Sequence, residues 1–147
     1  MNETERAYIA GIVDGEGSVS MCLRNTKPKH YDVKVSISNS SKQLIDYLKN
    51  LFPLFNIFTQ KDKRNKNWKR RYELYSSSLK NIKIFLENIL PFLIVKKDQA
   101  KLLLEYIEIR NKVFSRGSHQ SIHPQRENEI YFQLKEINQK GRKDFGK

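Results

Sequence analysis

Apolar and polar positions along the chain change period several times, and these changes divide it into alternating helices and hairpins. Ala7 to Gly17 reads Ala-Tyr-Ile-Ala-Gly-Ile-Val-Asp-Gly-Glu-Gly, an apolar helix ending in two carboxylates, Asp14 and Glu16. From Ser18 to Arg24 the period drops to two. Val19, Met21 and Leu23 fall on one face and Ser20, Cys22 and Arg24 on the other, as in a half-buried strand. Asn25 to His30, with Pro28, makes a basic turn, and Val33 to Ser38 alternate again to close a hairpin. Leu44, Ile45, Leu48, Leu51 and Phe52 then repeat at helical spacing over Ser41 to Phe52. Ser40 and Gln43 stand in a capping-box pattern at its start, and Pro53 stops it.

The alternation repeats. Asn56 to Lys63 and Lys69 to Tyr75 form a second hairpin joined around Asn65, Lys66 and Asn67. Ser78 to Leu90 is a third amphipathic helix, with Leu79, Ile82, Phe85, Leu86, Ile89 and Leu90 inward and Pro91 at its end. After Phe92-Leu93-Ile94-Val95, a fourth helix runs from about Asp98 to Val113 through Ala100, Leu103, Leu104 and Ile107. Lys96 and Lys97 stand at its N-terminus, where the helix dipole disfavours cations. Gly117 to His123 is a link, Pro124 opens a last helix with Ile130, Leu134 and Ile137, and Lys140 to Lys147 is a loose basic tail.

Charge changes the picture. The 28 Lys and Arg against 16 Asp and Glu give a formal +12, which points to a polyanionic partner. A membrane is not the expected partner: no apolar run approaches the ~20 residues that span a bilayer, and Met-Asn-Glu-Thr-Glu-Arg has no apolar signal core. The second hairpin concentrates the charge in Lys61, Lys63, Arg64, Lys66, Lys69, Arg70 and Arg71, with Trp68 and Tyr72 interleaved. An extended strand pair with cationic alternate positions suits a DNA major groove. The single cysteine, Cys22, excludes an intrachain disulfide and fits a reducing compartment. The expected location is intracellular, in a prokaryotic cytoplasm or an organelle matrix. His119 and His123 lie four apart beside Pro124 with no Cys cluster, too few ligands for a zinc site.

The first helix carries the candidate chemistry. A helix C-terminus bears partial negative charge, so Asp14 and Glu16 sit where the macrodipole disfavours them by up to about 1 kcal/mol each. A hard divalent cation would offset that through carboxylate and carbonyl oxygens. Ala7, Gly11 and Gly15 are spaced four apart and stack on one face, which allows close approach of another backbone.

Ile9-Ala10-Gly11-Ile12-Val13-Asp14-Gly15-Glu16-Gly17 resembles the LAGLIDADG motif of homing endonucleases, with conservative replacements at Ile9, Ile12 and Val13, Gly15 for its Ala and Glu16 for its second Asp. The order of elements is similar to that family's core over about Thr4 to Arg110. The resemblance implies an α+β fold, an αββαββα core with an antiparallel β-saddle and extra C-terminal helices. It also implies a single domain over 1–147, with a variable helical C-terminus at 111–139 and a basic tail at 140–147. With one motif copy the chain is similar to members that work as homodimers, with Ala7, Ala10, Gly11 and Asp14 at the interface.

The resemblance further implies a double-strand DNA endonuclease that cuts a long pseudo-palindromic site and promotes intron mobility. Glu16 matches the metal-binding acid and Gly15 the position whose carbonyl reaches the metal. Lys96 matches the site lysine, and Asn39 and Gln43 match positions that order waters around the scissile phosphates. The implied cofactor is Mg2+, with Mn2+ as a substitute and Ca2+ non-productive. Ser20, Cys22, Arg24, Lys34, Ser36, Ser38, Thr59, Lys61, Lys63, Arg71 and Glu73 fall on strand positions expected to face DNA. Two alternatives use the same scaffold: a maturase holding intron RNA, and a DNA-binding regulator without catalysis.

Overall fold

The computed structural model of the protein describes residues 1–26, 30–60, 69–117 and 120–143. The chain begins with α1 (Glu3–Glu16), whose first turn is closed by a capping box: Glu5 N–H donates to the Asn2 side chain at 2.8 Å and Asn2 N–H to the Glu5 carboxylate at 2.9 Å. β1 (Gly17–Arg24) follows without a loop, then β2 (His30–Asn39) and α2 (Lys42–Leu51). β3 (Asn56–Gln60) and β4 (Arg71–Ser76) form the second hairpin. α3 (Leu79–Ile89) runs into a short 3₁₀ turn, Leu90–Phe92, and α4 (Lys97–Ser115) and α5 (Pro124–Lys143) complete the chain.

The four strands form one antiparallel sheet in the order β1-β2-β4-β3, so the two hairpins meet through their second strands. Val19, Val33, Val35, Ile37 and Leu74 are buried on one face of it, against Ile9, Ala10 and Val13 of α1, Ile45 and Leu48 of α2 and Ile82, Phe85, Leu86 and Ile89 of α3. The helices thus cover one face and leave the other open. This is the mixed architecture expected from the alternation of periods.

Three details differ from expectation. The α2 cap is Ser41, whose hydroxyl accepts from Leu44 N–H at 3.3 Å, so the Ser40–Gln43 capping box does not form. Asn39, two residues before that cap, supports it, its side-chain oxygen accepting from Ser41 N–H at 2.8 Å. α5 runs to Lys143, into the stretch expected to be tail.

α5 is also tied to the sheet: Asn138 donates to the Val19 carbonyl at 3.1 Å and the Tyr31 hydroxyl to Asn128 at 2.8 Å. Between α4 and α5 lies a buried ion pair, Arg110–Glu127, whose carboxylate also accepts from the Ser121 hydroxyl at 2.7 Å. The turn at Lys27–Lys29, residues 61–68, the two residues after Gly117 and the last four residues lie outside the described residues. Lys61, Lys63, Trp68 and His119 fall among them.

Candidate functional site

α1 turns directly into β1 because Gly17 allows it. Its N–H donates to the Val13 carbonyl, and a Cβ at position 17 would lie 2.6 Å from that oxygen. The strand therefore starts on the last turn of the helix, and Glu16 is held at the seam between the two elements. Glu16 is exposed, and among the described residues its carboxylate accepts no hydrogen bond and joins no ion pair.

Asp14 has the opposite environment. Its two carboxylate oxygens accept the backbone N–H groups of Ile94, at 2.8 Å, and Lys96, at 2.9 Å. These contacts dock the turn before α4 onto the end of α1. The Lys96 ammonium then donates to the Asp14 carbonyl at 2.6 Å. That contact resolves the misplaced lysine: its charge is turned away from the α4 N-terminus and onto an unpaired carbonyl at the negative end of α1. Burial holds the Lys96 amine below the ordinary lysine value, and the charges of Asp14 and Glu16 oppose that shift. Asp14, expected at a dimer interface, thus has its carboxylate engaged within its own protomer.

The donor set can be compared with the needs of a hard cation. One free carboxylate and a helix-end carbonyl at Gly15 are oxygen ligands of the right kind. They are too few alone: no group of three or more His, Cys, Asp or Glu able to hold a metal occurs among the described residues. The residues present fit half of such a site.

The open sheet face follows from the register. Ser18↔Ser36 and Ser20↔Lys34 pair across β1 and β2, Ser36↔Tyr75 and Ser38↔Glu73 across β2 and β4, and Phe58↔Glu73 across β3 and β4. Directly paired residues point the same way. Ser20, Cys22, Arg24, Lys34, Ser36, Ser38, Arg71 and Glu73 therefore share the face away from the helices. Thr59 does not. It pairs with Tyr72, on the side of Leu74, and β3 instead turns Asn56, Phe58 and Gln60 outward. The sequence hid this, since Ile57 and Phe58 are adjacent apolar residues and either could face in.

Ser36 is also corrected: it points outward but is only 6 % exposed, beneath its neighbours. Lys34 lies along the sheet over the Tyr75 ring, 5.0 Å from its centroid, and its ammonium meets the Glu73 carboxylate at 2.8 Å. Burial raises the Glu73 carboxyl, but hydrogen bonds from Lys34 and Ser36 and the charges of Lys34 and Arg71 outweigh it and hold the group below the usual carboxylate range. Arg24 is paired with Asp32, its neighbour on the same face.

Asn39 ends β2, two residues past Ile37, the partner of Gly17, so the topology brings it beside the α1–β1 junction. Its side-chain oxygen is already engaged at Ser41. Gln43 lies elsewhere, in a notch of about 410 Å³ with Tyr8, Ser41, Leu44 and Tyr47. Ala10 is fully buried in the protomer's own core and belongs to no external interface, because it shares the inward side of α1 with Ile9 and Val13. Ala7, Gly11 and Gly15 are exposed, and a Cβ added at Gly11 or Gly15 would meet nothing within 4 Å. Nothing inside the protomer requires glycine there.

Residues 3–90, more than half of the chain, match the family described as LAGLIDADG-like domain. The chain belongs to the LAGLIDADG family. Among solved structures, this LAGLIDADG chain is similar to the archaeal intron-encoded homing endonuclease I-Vdi141I complexed with DNA, with a TM-score of 0.71 and 20 % identity over 92 % of this chain and 84 % of that one. It is similar also to the homing endonuclease I-CvuI in complex with its target in the presence of 2 mM Ca, with a TM-score of 0.67 and 19 % identity over 91 % and 82 % of the two chains. The homing endonuclease I-GzeII in complex with its DNA target matches at a TM-score of 0.62 and 22 % identity, over 90 % of this chain and 43 % of that one. At these identities the likeness is one of fold. No curated protein shows a significant match to the chain. Among the described residues no helix is long and apolar enough to cross a membrane.

Proposed function

We propose that this LAGLIDADG chain is a site-specific double-strand DNA endonuclease that acts as a homodimer. The observation that carries the reading is the Glu16 carboxylate, which among the described residues accepts no hydrogen bond and joins no ion pair at the negative end of α1 and feels only the nearby Lys96 charge, while Asp14 beside it is fully engaged in holding Lys96. A carboxylate in that position is electrostatically unfavourable by up to about 1 kcal/mol unless a cation compensates. Glu16 and the Gly15 carbonyl would hold a divalent cation, Mg2+ or Mn2+. When bound, such a cation supplies neutralisation of the charge developing on a phosphate and acidification of water. Lys96, held against the same helix end, adds positive charge for the scissile phosphate.

Two protomers are needed because one supplies half a ligand set. The open surface at Gly11 and Gly15 supports a seam between two α1 helices, which would bring both Glu16 carboxylates together. In I-GzeII the matched fold occupies less than half of the chain, which supports two such units working side by side. The outward sheet face, with Lys34, Arg24 and Arg71, would lie on DNA, and twofold symmetry gives a roughly palindromic target. That I-Vdi141I is intron-encoded supports a role in intron mobility. The maturase and regulator alternatives need the basic surface but neither Glu16 nor Lys96. Incubating the protein with a randomised duplex library in Mg2+ and sequencing the ends produced tests activity, site and symmetry together. Paired cuts about a twofold-symmetric site are expected, and an uncut library would refute the reading.

A further inference from the structure

The most constrained polar group on the open sheet face is not at the α1 end. Lys34 reaches along β2, across the Tyr75 ring, to Glu73 on β4, with Ser36 buried beneath them. The pair is preformed, yet its side chains keep 42 % and 23 % of their exposure. It therefore presents one donor and one acceptor side by side, with an N···O separation of 2.8 Å. The major-groove edge of a base pair offers the complement: the amino group of one base and the keto oxygen of the other, themselves hydrogen-bonded about 2.9 Å apart.

We infer that the Lys34–Glu73 ion pair reads one C·G base pair in each half-site, with cytosine at Glu73 and guanine at Lys34. The inference rests on the proposal that this sheet face lies in the major groove of double-stranded DNA. Ionised Glu73 only accepts, so its base must carry an amino group, which admits cytosine and adenine and rejects guanine and thymine. Adenine places its N7 acceptor next to that amino group, against the carboxylate, whereas cytosine places a C–H there. Phe58, directly across from Glu73 and 54 % exposed, supplies an apolar surface for that C–H edge. On the other side Lys34 only donates and meets two acceptors, O6 and N7, on guanine but one acceptor and a methyl group on thymine. Both halves of the pair select the same base pair in the same orientation.

The test is binding selection from a randomised duplex library in Ca2+, with the bound pool sequenced for wild type, Glu73→Gln and Lys34→Met, and thermal midpoints recorded to show that each variant is folded. Wild type should favour C·G at one symmetric position about fivefold or more over every other pair. Glu73→Gln should move that position from cytosine toward adenine, since a carboxamide matches N6 and N7 together. Lys34→Met should relax the guanine requirement at the same position, and it alone carries the test if Glu73→Gln does not fold. If both variants weaken all sequences alike, the pair sits on phosphates or only braces the sheet, and the inference is overturned while DNA binding stands. A wild-type pool with no sequence enrichment would overturn the DNA-binding proposal itself, and this inference with it.

Discussion

Asp14→Asn isolates the contact that joins the two halves of the candidate site. In the native chain two backbone N–H groups, from Ile94 and Lys96, converge on the two Asp14 oxygens. Asparagine offers one oxygen and one NH2, so one backbone donor must face another donor. The loss is one charge-assisted hydrogen bond, about 1.5–3 kcal/mol. In a chain of 147 residues each kcal/mol moves the thermal midpoint by about 2–4 °C, so a fall of about 3–12 °C is expected. The turn from Leu93 to Lys96 should loosen with it, and the Lys96 contact at the Asp14 carbonyl, 2.6 Å long, should be lost. Thermal unfolding followed by circular dichroism reads the first effect. Faster hydrogen exchange confined to residues 93–97 and the end of α1 reads the second. A midpoint within about 1 °C of wild type would refute the reasoning, because one of the two N–H groups would then have lost a charged acceptor at no cost.

Gly11→Leu should leave the protomer folded, since a Cβ there meets nothing within 4 Å and the position is exposed, but should shift the sedimentation coefficient from dimer to monomer. Gly17→Ala should destabilise by about 1–3 kcal/mol, the usual cost of overpacking, because its Cβ would lie 2.6 Å from the Val13 carbonyl; urea unfolding checks this. The Glu73 carboxyl is held below the ordinary value of 4.5, so its contribution to stability is present above that pH and fades as pH falls through the lower folded-state value. Unfolding free energies of wild type and Glu73→Gln should therefore converge below about pH 4.5.

Much of this was legible in the sequence because two periods, 2 and 3.6, are hard to confuse over seven or more residues. Val19, Met21 and Leu23 against Ser20, Cys22 and Arg24 set the face of β1, and the register carries that assignment to β2 and β4. β3 was not legible. It is a short edge strand with every residue exposed, so no burial signal fixes its register, and Thr59 and Phe58 exchange faces from what alternation suggests. Ala10 was misassigned because a small residue in a helix marks close packing without saying on which side. The Ser41 cap displaced the Ser40–Gln43 pattern because either serine can close the first turn, and Asn39 completes only the later one. At the candidate site, the resemblance pointed to Glu16 and Lys96 but could not show that Asp14 ties Lys96 to the end of α1, since that contact spans 82 residues. The buried Arg110–Glu127 pair left no sequence signal for the same reason: its members lie on separate helices.

The central claim, that Glu16 holds the catalytic cation, is tested most directly by cleavage of the selected duplex in Mg2+ by Glu16→Gln. The substitution keeps the side chain's size and removes the charge. Because Glu16 accepts no hydrogen bond among the described residues and sits at a helix C-terminus, the thermal midpoint should hold or rise slightly. Binding in Ca2+ should survive, while the cleavage rate should fall by at least about 100-fold, or about 2.7 kcal/mol. Cleavage by Glu16→Gln at close to the wild-type rate would contradict the account.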